Sequence, residues 1–165
     1  MGWQKALLHD LELAIQKNKV LRNTFKLERL QRTNNIHLAV FTEPFLSLIM
    51  EGRKKIESRF SVNKVAPFDK IIKGDLIVLK KTGGPVVGIC FAEKIFSFSN
   101  VDKKSLSSIK ERFANGIASE IDPEFWKNRA HSKFISLIEL DKVRYIEKVL
   151  CHKKDRRGWV VLTRN

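Results

Sequence analysis

The sequence predicts a mainly β, α+β fold: a small, mostly antiparallel β-barrel with inserted helices and an N-terminal helical extension. Three observations predict this class. Short apolar runs rich in β-branched residues recur along most of the chain. Turns that contain glycine, proline or asparagine separate these runs. Apolar residues at helical spacing occur at the N-terminus and in inserts between the strands, so we expect an extension over 1–35 and a barrel domain over 36–165.

The extension reads as two helical stretches. Residues 3–16 place apolar side chains on one face of a helix, and a second helical pattern runs over 20–30. The basic residues of the second stretch share one face, because they are spaced at i, i+4 and i+7: Arg22, Lys26 and Arg29. That face is suited to a nucleic acid backbone or, equally, to solvent.

The barrel begins with a strand, a short helix and a sharp corner. A strand is predicted over 36–41, with Thr42 as the N-cap of a helix that runs to Met50. Gly52 follows that helix, and glycine reaches the positive φ of a helix C-terminus without steric cost. The next strand is predicted over 55–62.

The remaining strands are interrupted by one helical insert. Strands are predicted at 75–81, 85–96, 134–140, 143–150 and 159–162, and the first two of these are joined by a glycine-rich hairpin turn. The insert contains a helix over 105–113. Asp122-Pro123-Glu124 has the composition of a second helix start, with a capping acid followed by proline.

The charge of the chain indicates an anionic partner. Net charge is +14, and residues 1–35 and 148–165 contribute +4 and +5 of it. Concentrated positive charge is typical of proteins that bind phosphate backbones, so RNA or a nucleotide is the expected partner and DNA is an alternative.

Other partners and compartments are less compatible with the composition. No apolar run approaches the ~18 residues of a membrane-spanning helix, and the N-terminus lacks the apolar core of a signal peptide, so a cytoplasmic protein is expected. Cys151-His152 has no second Cys/His pair with which to bind zinc. We therefore expect neither metal nor cofactor.

The densest polar segment follows Gly52, where Lys54, Glu57 and Arg59 lie close together in sequence. In a regular strand Glu57 and Arg59 share a face and Lys54 points away from it. Two arrangements are therefore open. Glu57 and Arg59 pair while Lys54 is free, or Lys54 precedes the regular strand and meets Glu57 across the corner to line a pocket.

The spacing Gly-x-Lys-x-x-Glu-x-Arg, together with the later Lys73-Gly74-Asp75 turn into a strand, resembles the ASCH domain family. The resemblance covers roughly residues 36–165. It implies a PUA-like β-barrel whose motif lines an RNA-binding cleft. Some small members of that family hydrolyse an acetylated cytidine with a Lys-x-x-Thr corner and a distant glutamate. This chain has Glu57 in place of that threonine.

These residues support a binding reading and an enzymatic one. As an RNA- or nucleotide-binding module, the chain would use its motif and its basic turns; the expected contacts are Lys54, Glu57, Arg59, Arg53, Lys153, Lys154, Arg156 and Arg157. As a hydrolase of a modified nucleoside or of RNA, it would use Lys54 and Glu57, with Glu120 as proton carrier. The sequence does not decide whether the chain is an enzyme.

The aromatic residues and the N-terminal helix suggest two further roles. Phe60, Trp126 and Trp159 are candidate platforms for base stacking, although each also suits a core position. A third reading, a protein-interaction module, would use the amphipathic helix over 3–16 to dock a partner. The sequence gives neither the base recognised nor the oligomeric state.

Overall fold

The computed structural model describes residues 2–26 and 34–162. The helices are α1 Trp3–Gln16, α2 Lys19–Thr24, α3 Phe45–Met50 and α4 Lys103–Ile117, followed by 3-10 turns at Ser119–Ile121 and Lys127–Arg129. The strands are β1 Ile36–Phe41, β2 Ile56–Ser61, β3 Leu76–Lys81, β4 Val86–Phe98, β5 Phe134–Val149 and β6 Trp159–Leu162.

The six strands form one curled sheet in the order β2-β5-β4-β3-β1-β6. Only β1 and β3 run parallel, and the other neighbouring strands are antiparallel. The sheet is a half-barrel with helices around it, which confirms the predicted mainly antiparallel α+β fold. Its outer strands, β2 and β6, are far apart in the hydrogen-bonding order.

Alternation along the strands sorts the apolar residues into separate core clusters. Leu38 of β1 packs in a cluster with α1 and α2, whereas its neighbour Ala39 packs with α3 on the opposite face. A third cluster joins α4 to the ends of β2, β4 and β5. The two faces of the sheet are thus covered by different helices.

The N-terminal helix is part of the core. The apolar side of α1 is buried against the sheet and α2; its buried residues are Leu7, Leu8, Leu11, Ala14 and Ile15. The surface on which the protein-interaction reading depends is therefore covered by the chain itself. The domain boundary at residue 35 remains a sequence-based expectation.

A buried polar triad joins β1, β6 and the turn before β3 at one end of the sheet. The His37 ring on β1 accepts a hydrogen bond at Nδ1 from the Trp159 indole (3.0 Å) and bonds Asp75 through Nε2 (2.9 Å). Since indole is only a donor, Nδ1 carries no proton and Nε2–H donates to the carboxylate. The Gly-Asp turn before β3 thus supplies a buried acceptor that fixes one tautomer of His37.

Several predicted elements differ in detail. Thr42 is not the N-cap of α3; Pro44 occupies that position, and the Glu43 carboxylate accepts from the Ser47 N–H (3.1 Å). In the described residues after Asp122 there is no α-helix, because the Asp122 carboxylate closes a local turn with the Glu124 N–H (3.0 Å) and a 3-10 turn comes after it.

Two other boundaries were also misplaced. The two strands predicted over 134–150 are a single strand, β5, which passes through a positive φ at Lys142 (51°). The second N-terminal helix ends at Thr24, and Phe25 and Lys26 are not helical. The rest of the predicted helix, residues 27–30 with Arg29, lies outside the described residues. Within the described part of the chain, no helix is long and apolar enough to cross a membrane.

Candidate functional site

The corner after α3 sets the position of Lys54. Gly52 has a φ of +74°, as predicted for a glycine that ends a helix, and the backbone N–H groups of Arg53 and Lys54 both donate to the Leu48 carbonyl (2.9 Å each). Because β2 begins only at Ile56, Lys54 lies outside the regular alternation. Its side chain can therefore turn towards the same side as that of Glu57.

Lys54 is buried, with 3% of its side chain exposed, and its ammonium group is well coordinated. It donates to the carbonyls of Ile56 (2.7 Å) and Ile117 (2.8 Å) and lies 3.5 Å from Glu57 Oε2. Ile117 is the last residue of α4, where a positive charge interacts favourably with the helix dipole. Burial lowers the pKa of Lys54, and the adjacent Glu57 carboxylate opposes that shift only in part.

Glu57 also faces Arg59 on the same strand. The Arg59 Nε lies 2.7 Å from Glu57 Oε1, but its N–H is not directed at the oxygen, so the contact is an ion pair without hydrogen-bond geometry. Glu57 therefore contacts Arg59 and also meets Lys54 across the corner, so the arrangement that left Lys54 free does not occur. One buried carboxylate serves two cations.

The Arg59 guanidinium reaches across the open side of the half-barrel. Its terminal nitrogens donate to the carbonyls of Val40 on β1 (3.0 Å) and Gly158 just before β6 (3.2 Å). Its carbon lies 5.0 Å from the centre of the Phe41 ring and 5.1 Å from that of Trp159. About a quarter of the side chain, 23%, stays exposed.

These groups lie at one wall of a cleft of about 680 Å³, a size typical of small-ligand sites. The segment after α4 also lines the cleft. It supplies two further charged residues, Asp122 and Arg129, and the buried ring of Phe125. Phe45 and Phe60 add aromatic surface.

Arg129 is the second guanidinium of the cleft. Its carbon lies 3.7 Å from the centre of the Phe125 ring, and Nη1 donates to the Phe125 carbonyl (2.9 Å). Burial lowers its pKa, against the pull of the Asp122 and Glu57 carboxylates, although an arginine remains charged. No carboxylate within the described ranges approaches it to 4.0 Å, so its charge faces the cleft without a close counter-ion.

The other predicted site residues lie elsewhere. Glu120 is exposed on the Ser119–Ile121 turn and does not line the cleft, where Asp122 is the second carboxylate. Arg53 is exposed near Glu51, with 3.8 Å between Nη1 and Oε2. The predicted contacts after β5 do not line the cleft: Lys153, Lys154, Arg156 and Arg157. Their turn lies next to it, because Arg59 donates to the carbonyl of Gly158 at the end of that turn (3.2 Å).

The three aromatic residues predicted as stacking platforms differ in where they lie. Phe60 lines the cleft. Trp159 is buried, with its indole bonded to His37, and Trp126 donates from Nε1 to the Ser119 hydroxyl (3.0 Å). The core reading therefore applies to Trp159.

Two charged residues that line the cleft, Asp122 and Arg129, were missed by sequence reasoning. Asp122 was interpreted as a helix cap, and Arg129 was not among the predicted site residues. One sequence feature could have indicated Arg129: it follows Phe125-Trp126 within a turn-rich segment, where an arginine can place its guanidinium over an aromatic ring. Within residues 2–26 and 34–162, no three His, Cys, Asp or Glu side chains are grouped in a way that would hold a metal ion.

The curled sheet with a charged cleft on its open side defines an α+β, PUA-like domain. The model of the ASCH domain matches residues 40–154, and the chain belongs to that family, as the motif predicted. No curated protein matches the chain.

Solved ASCH structures support the same fold. The ASCH protein of Zymomonas mobilis aligns with a TM-score of 0.59 and 12% identity, over 78% of this chain and 87% of its own. A Tyr-to-Phe and a Ser-to-Ala variant of that protein give the same TM-score and identity, over 90% and 88% of their chains. At this identity the likeness concerns the fold alone.

Proposed function

We propose that this ASCH domain binds RNA, or a nucleotide, in the cleft between β2 and the segment after α4. One observation carries the proposal: the guanidinium groups of Arg59 and Arg129 both lie against aromatic rings and both line this cleft. Guanidinium groups bind phosphate oxygens and stack on bases, whereas aromatic rings accept unstacked bases.

Each part of the cleft has a chemical counterpart in a nucleotide. Arg129 has no close counter-ion and offers donors to phosphate or to a base edge. Asp122, which also lines the cleft, offers acceptors to an exocyclic amino group. Glu57 is already engaged by two cations, so its main role is to position Arg59. Single-stranded RNA suits such a site because its bases are unstacked and accessible.

Fluorescence anisotropy with a labelled single-stranded RNA tests the proposal. Wild-type protein should bind at low salt, with an affinity that falls steeply as salt is raised. Arg129→Gln should weaken binding about ten-fold or more, the effect of losing a hydrogen bond to a charged group. The affinity for a DNA strand of the same sequence shows how strongly the cleft distinguishes ribose from deoxyribose.

Lys127→Gln is the matched control, because Lys127 is on the same turn but is exposed and paired with Glu124 at 2.8 Å. It removes the same unit of charge without altering the cleft. An equal loss of RNA affinity in the two variants would mean that binding depends on net charge and not on the cleft. Absence of RNA binding by wild-type protein at low salt would reject the function.

A second candidate, hydrolysis of a modified nucleoside or RNA, has one observation in its favour. Lys54 has a lowered pKa and lies in a cleft that also contains Asp122. Its ammonium group is held by two carbonyls, however, and the assigned proton carrier Glu120 lies outside the cleft lining. Mass spectrometry of acetylated cytidine and RNA after incubation with wild-type protein and Lys54→Met tests this role; product formed equally by both would exclude Lys54 as a catalytic residue.

A further inference from the structure

A second basic pocket lies beside the cleft. We call it the loop pocket; it is formed by the Thr82–Gly84 turn between β3 and β4 and by residues 151–158 after β5. Its volume is about 550 Å³. Gly83, with a φ of +66° and open space where a Cβ would lie, lets a ligand approach the backbone of the turn closely.

The charges around the loop pocket are unbalanced. Four cations line it against one carboxylate, Asp155: Lys80, Lys153, Arg156 and Arg157. Asp155 is already bonded by Arg157 Nε (3.1 Å) and by Lys153 Nζ (2.6 Å), which hold its pKa well below the usual range. Arg156 is exposed and has no ion-pair partner within the described residues.

Lys80 gives the second reason to expect an anion. It is 7% exposed, and its ammonium group donates to the carbonyls of Lys81 (3.0 Å) and Gly84 (2.7 Å), which leaves one of its three N–H donors. Among the residues that the structure describes, no carboxylate lies within 4.0 Å of it, whereas Lys54, which is also buried, has Glu57 at 3.5 Å. Buried charges are normally paired, so Lys80 lacks the partner that an incoming anion would supply.

The loop pocket and the cleft are neighbours. Val40 lines both of them, and Arg59 of the cleft donates to the carbonyl of Gly158, which lines the loop pocket. We propose that the loop pocket binds a backbone phosphate of the RNA strand whose base occupies the cleft, an inference that rests on the proposed function. Lys80 and Arg156 contact this phosphate, while Lys153 and Arg157 hold the loop in place through Asp155.

The chain contains its own reporter for this pocket. Cys151 lines it and is partly exposed, whereas Cys90 is fully buried and has a pKa raised by that burial. Iodoacetamide should therefore label Cys151 in the folded protein and leave Cys90 unlabelled. Mass spectrometry then gives the labelling rate of Cys151, with Cys90 as an internal control for unfolding.

The experiment compares Arg156→Gln with Lys154→Gln, using anisotropy with single-stranded RNA and the labelling of Cys151. Both residues are exposed on the same turn, but only Arg156 lines the pocket. Arg156→Gln should weaken RNA binding about five-fold more than Lys154→Gln does. Bound RNA should slow the labelling of Cys151 in the wild type, and a strand of the same sequence with neutral methylphosphonate linkages should not.

Equal losses in the two variants, with labelling of Cys151 unchanged by bound RNA, would overturn the inference while leaving the proposed function intact. If wild-type protein binds no RNA, the proposed function fails. The labelling of Cys151 in inorganic phosphate then tests whether the loop pocket binds phosphate at all. Slower labelling in phosphate than in chloride of equal ionic strength, lost in Arg156→Gln, would retain a phosphate site. No difference between the two salts would reject it.

Discussion

At the scale of single residues, the unusual feature is a lysine buried at a helix end. Lys54 stays in the interior because two carbonyls and Glu57 meet its three N–H donors. Burial nevertheless disfavours its charged form, and the lowered pKa is the net result. The group thus fastens the corner to α4 while its proton is held less firmly than that of an exposed lysine.

The pKa of Lys54 can be measured directly. In ¹³C NMR, the Cε resonance of Lys54 should titrate at a lower pH than those of exposed lysines. Glu57→Gln should lower this pKa further, because the carboxylate is the main group that raises it. The unfolded chain holds the proton more firmly, so the contribution of Lys54 to stability rises with pH from its folded pKa up to about 10.5.

The exposed Lys127 serves as the reference in the same titration, since it is 79% exposed. A Lys54 resonance that titrates with that of Lys127, in both wild type and Glu57→Gln, would contradict the desolvation argument.

The sequence predicts the part of the candidate site at β2 and the corner before it, but not the part that follows α4. Lys54, Glu57 and Arg59 lie within six positions, so local geometry limits their arrangement to the two that were foreseen. Asp122 and Arg129 reach the same cleft from more than sixty positions away. Their placement depends on how the 3-10 turns pack on β2, which no local pattern encodes.

At the scale of elements, the Gly-Asp turn before β3 binds several segments together. Each Asp75 oxygen accepts a backbone hydrogen bond, from Asn35 (3.0 Å) and from Ile72 (3.0 Å), and one of them also accepts from His37. Burial by itself would raise the pKa of this carboxyl, but the hydrogen bonds outweigh it and hold the pKa below its usual range.

Asp75 should therefore contribute to acid stability. Its folded pKa is depressed, so the contribution is fully present above the unfolded value near pH 4 and is lost as pH falls through the lower folded value. Asp75→Asn should cost ~2–3 kcal/mol near neutral pH, the effect of losing hydrogen bonds to a charged group. The difference from wild type should shrink below pH 4, as measured by urea unfolding at a series of pH values.

Asp69→Asn is the matched control, since Asp69 is half-exposed, pairs with Lys64 at the surface (2.6 Å) and has a φ of 56°, which asparagine tolerates. It should change stability by no more than ~0.5 kcal/mol at any pH. A gap between wild type and Asp75→Asn that stays constant down to pH 2 would show that the carboxylate charge is not what stabilises the turn.

Element boundaries were predictable where pattern and turn chemistry agree. The strand at 36–41 and the helix at 3–16 match the structure residue for residue, because a polar break or cap bounds each of them. The helix expected after Asp122 failed because an aspartate followed by proline also closes a turn. The single strand β5 was divided because its bend at Lys142 interrupts the apolar alternation.

At the scale of the whole molecule, the half-barrel has an open side that a side chain bridges. β2 and β6 are the two edges of the sheet, yet Arg59 on β2 bonds carbonyls beside the opposite edge, at Val40 and Gly158. Glu57 supplies the counter-charge at the base of this bridge. The motif that lines the cleft therefore also holds the two edges of the sheet together.

This bridge predicts that Glu57 and Arg59 are energetically coupled. Arg59→Ala removes both carbonyl contacts and leaves a carboxylate that is only 6% exposed, with Lys54 as its remaining cation. It should cost ~2–4 kcal/mol, near the lower end for breaking a buried pair, because Arg59 is partly exposed. Urea unfolding of Glu57→Gln, Arg59→Ala and the double variant should give a coupling energy of ~1–2 kcal/mol.

The variant Arg59→Lys shows, by the same urea unfolding, how much of the stabilisation comes from the positive charge at this position and how much from the planar guanidinium. A lysine keeps the positive charge opposite Glu57 but cannot reach two carbonyls with a planar fork, so it should recover only part of the loss. Arg144→Lys, at an exposed arginine bonded to the carbonyl of its neighbour Val143 (2.9 Å), should change stability by less than ~0.5 kcal/mol. Additive effects in the cycle, or a lysine variant as stable as wild type, would mean that the sheet edges are held together without this bridge.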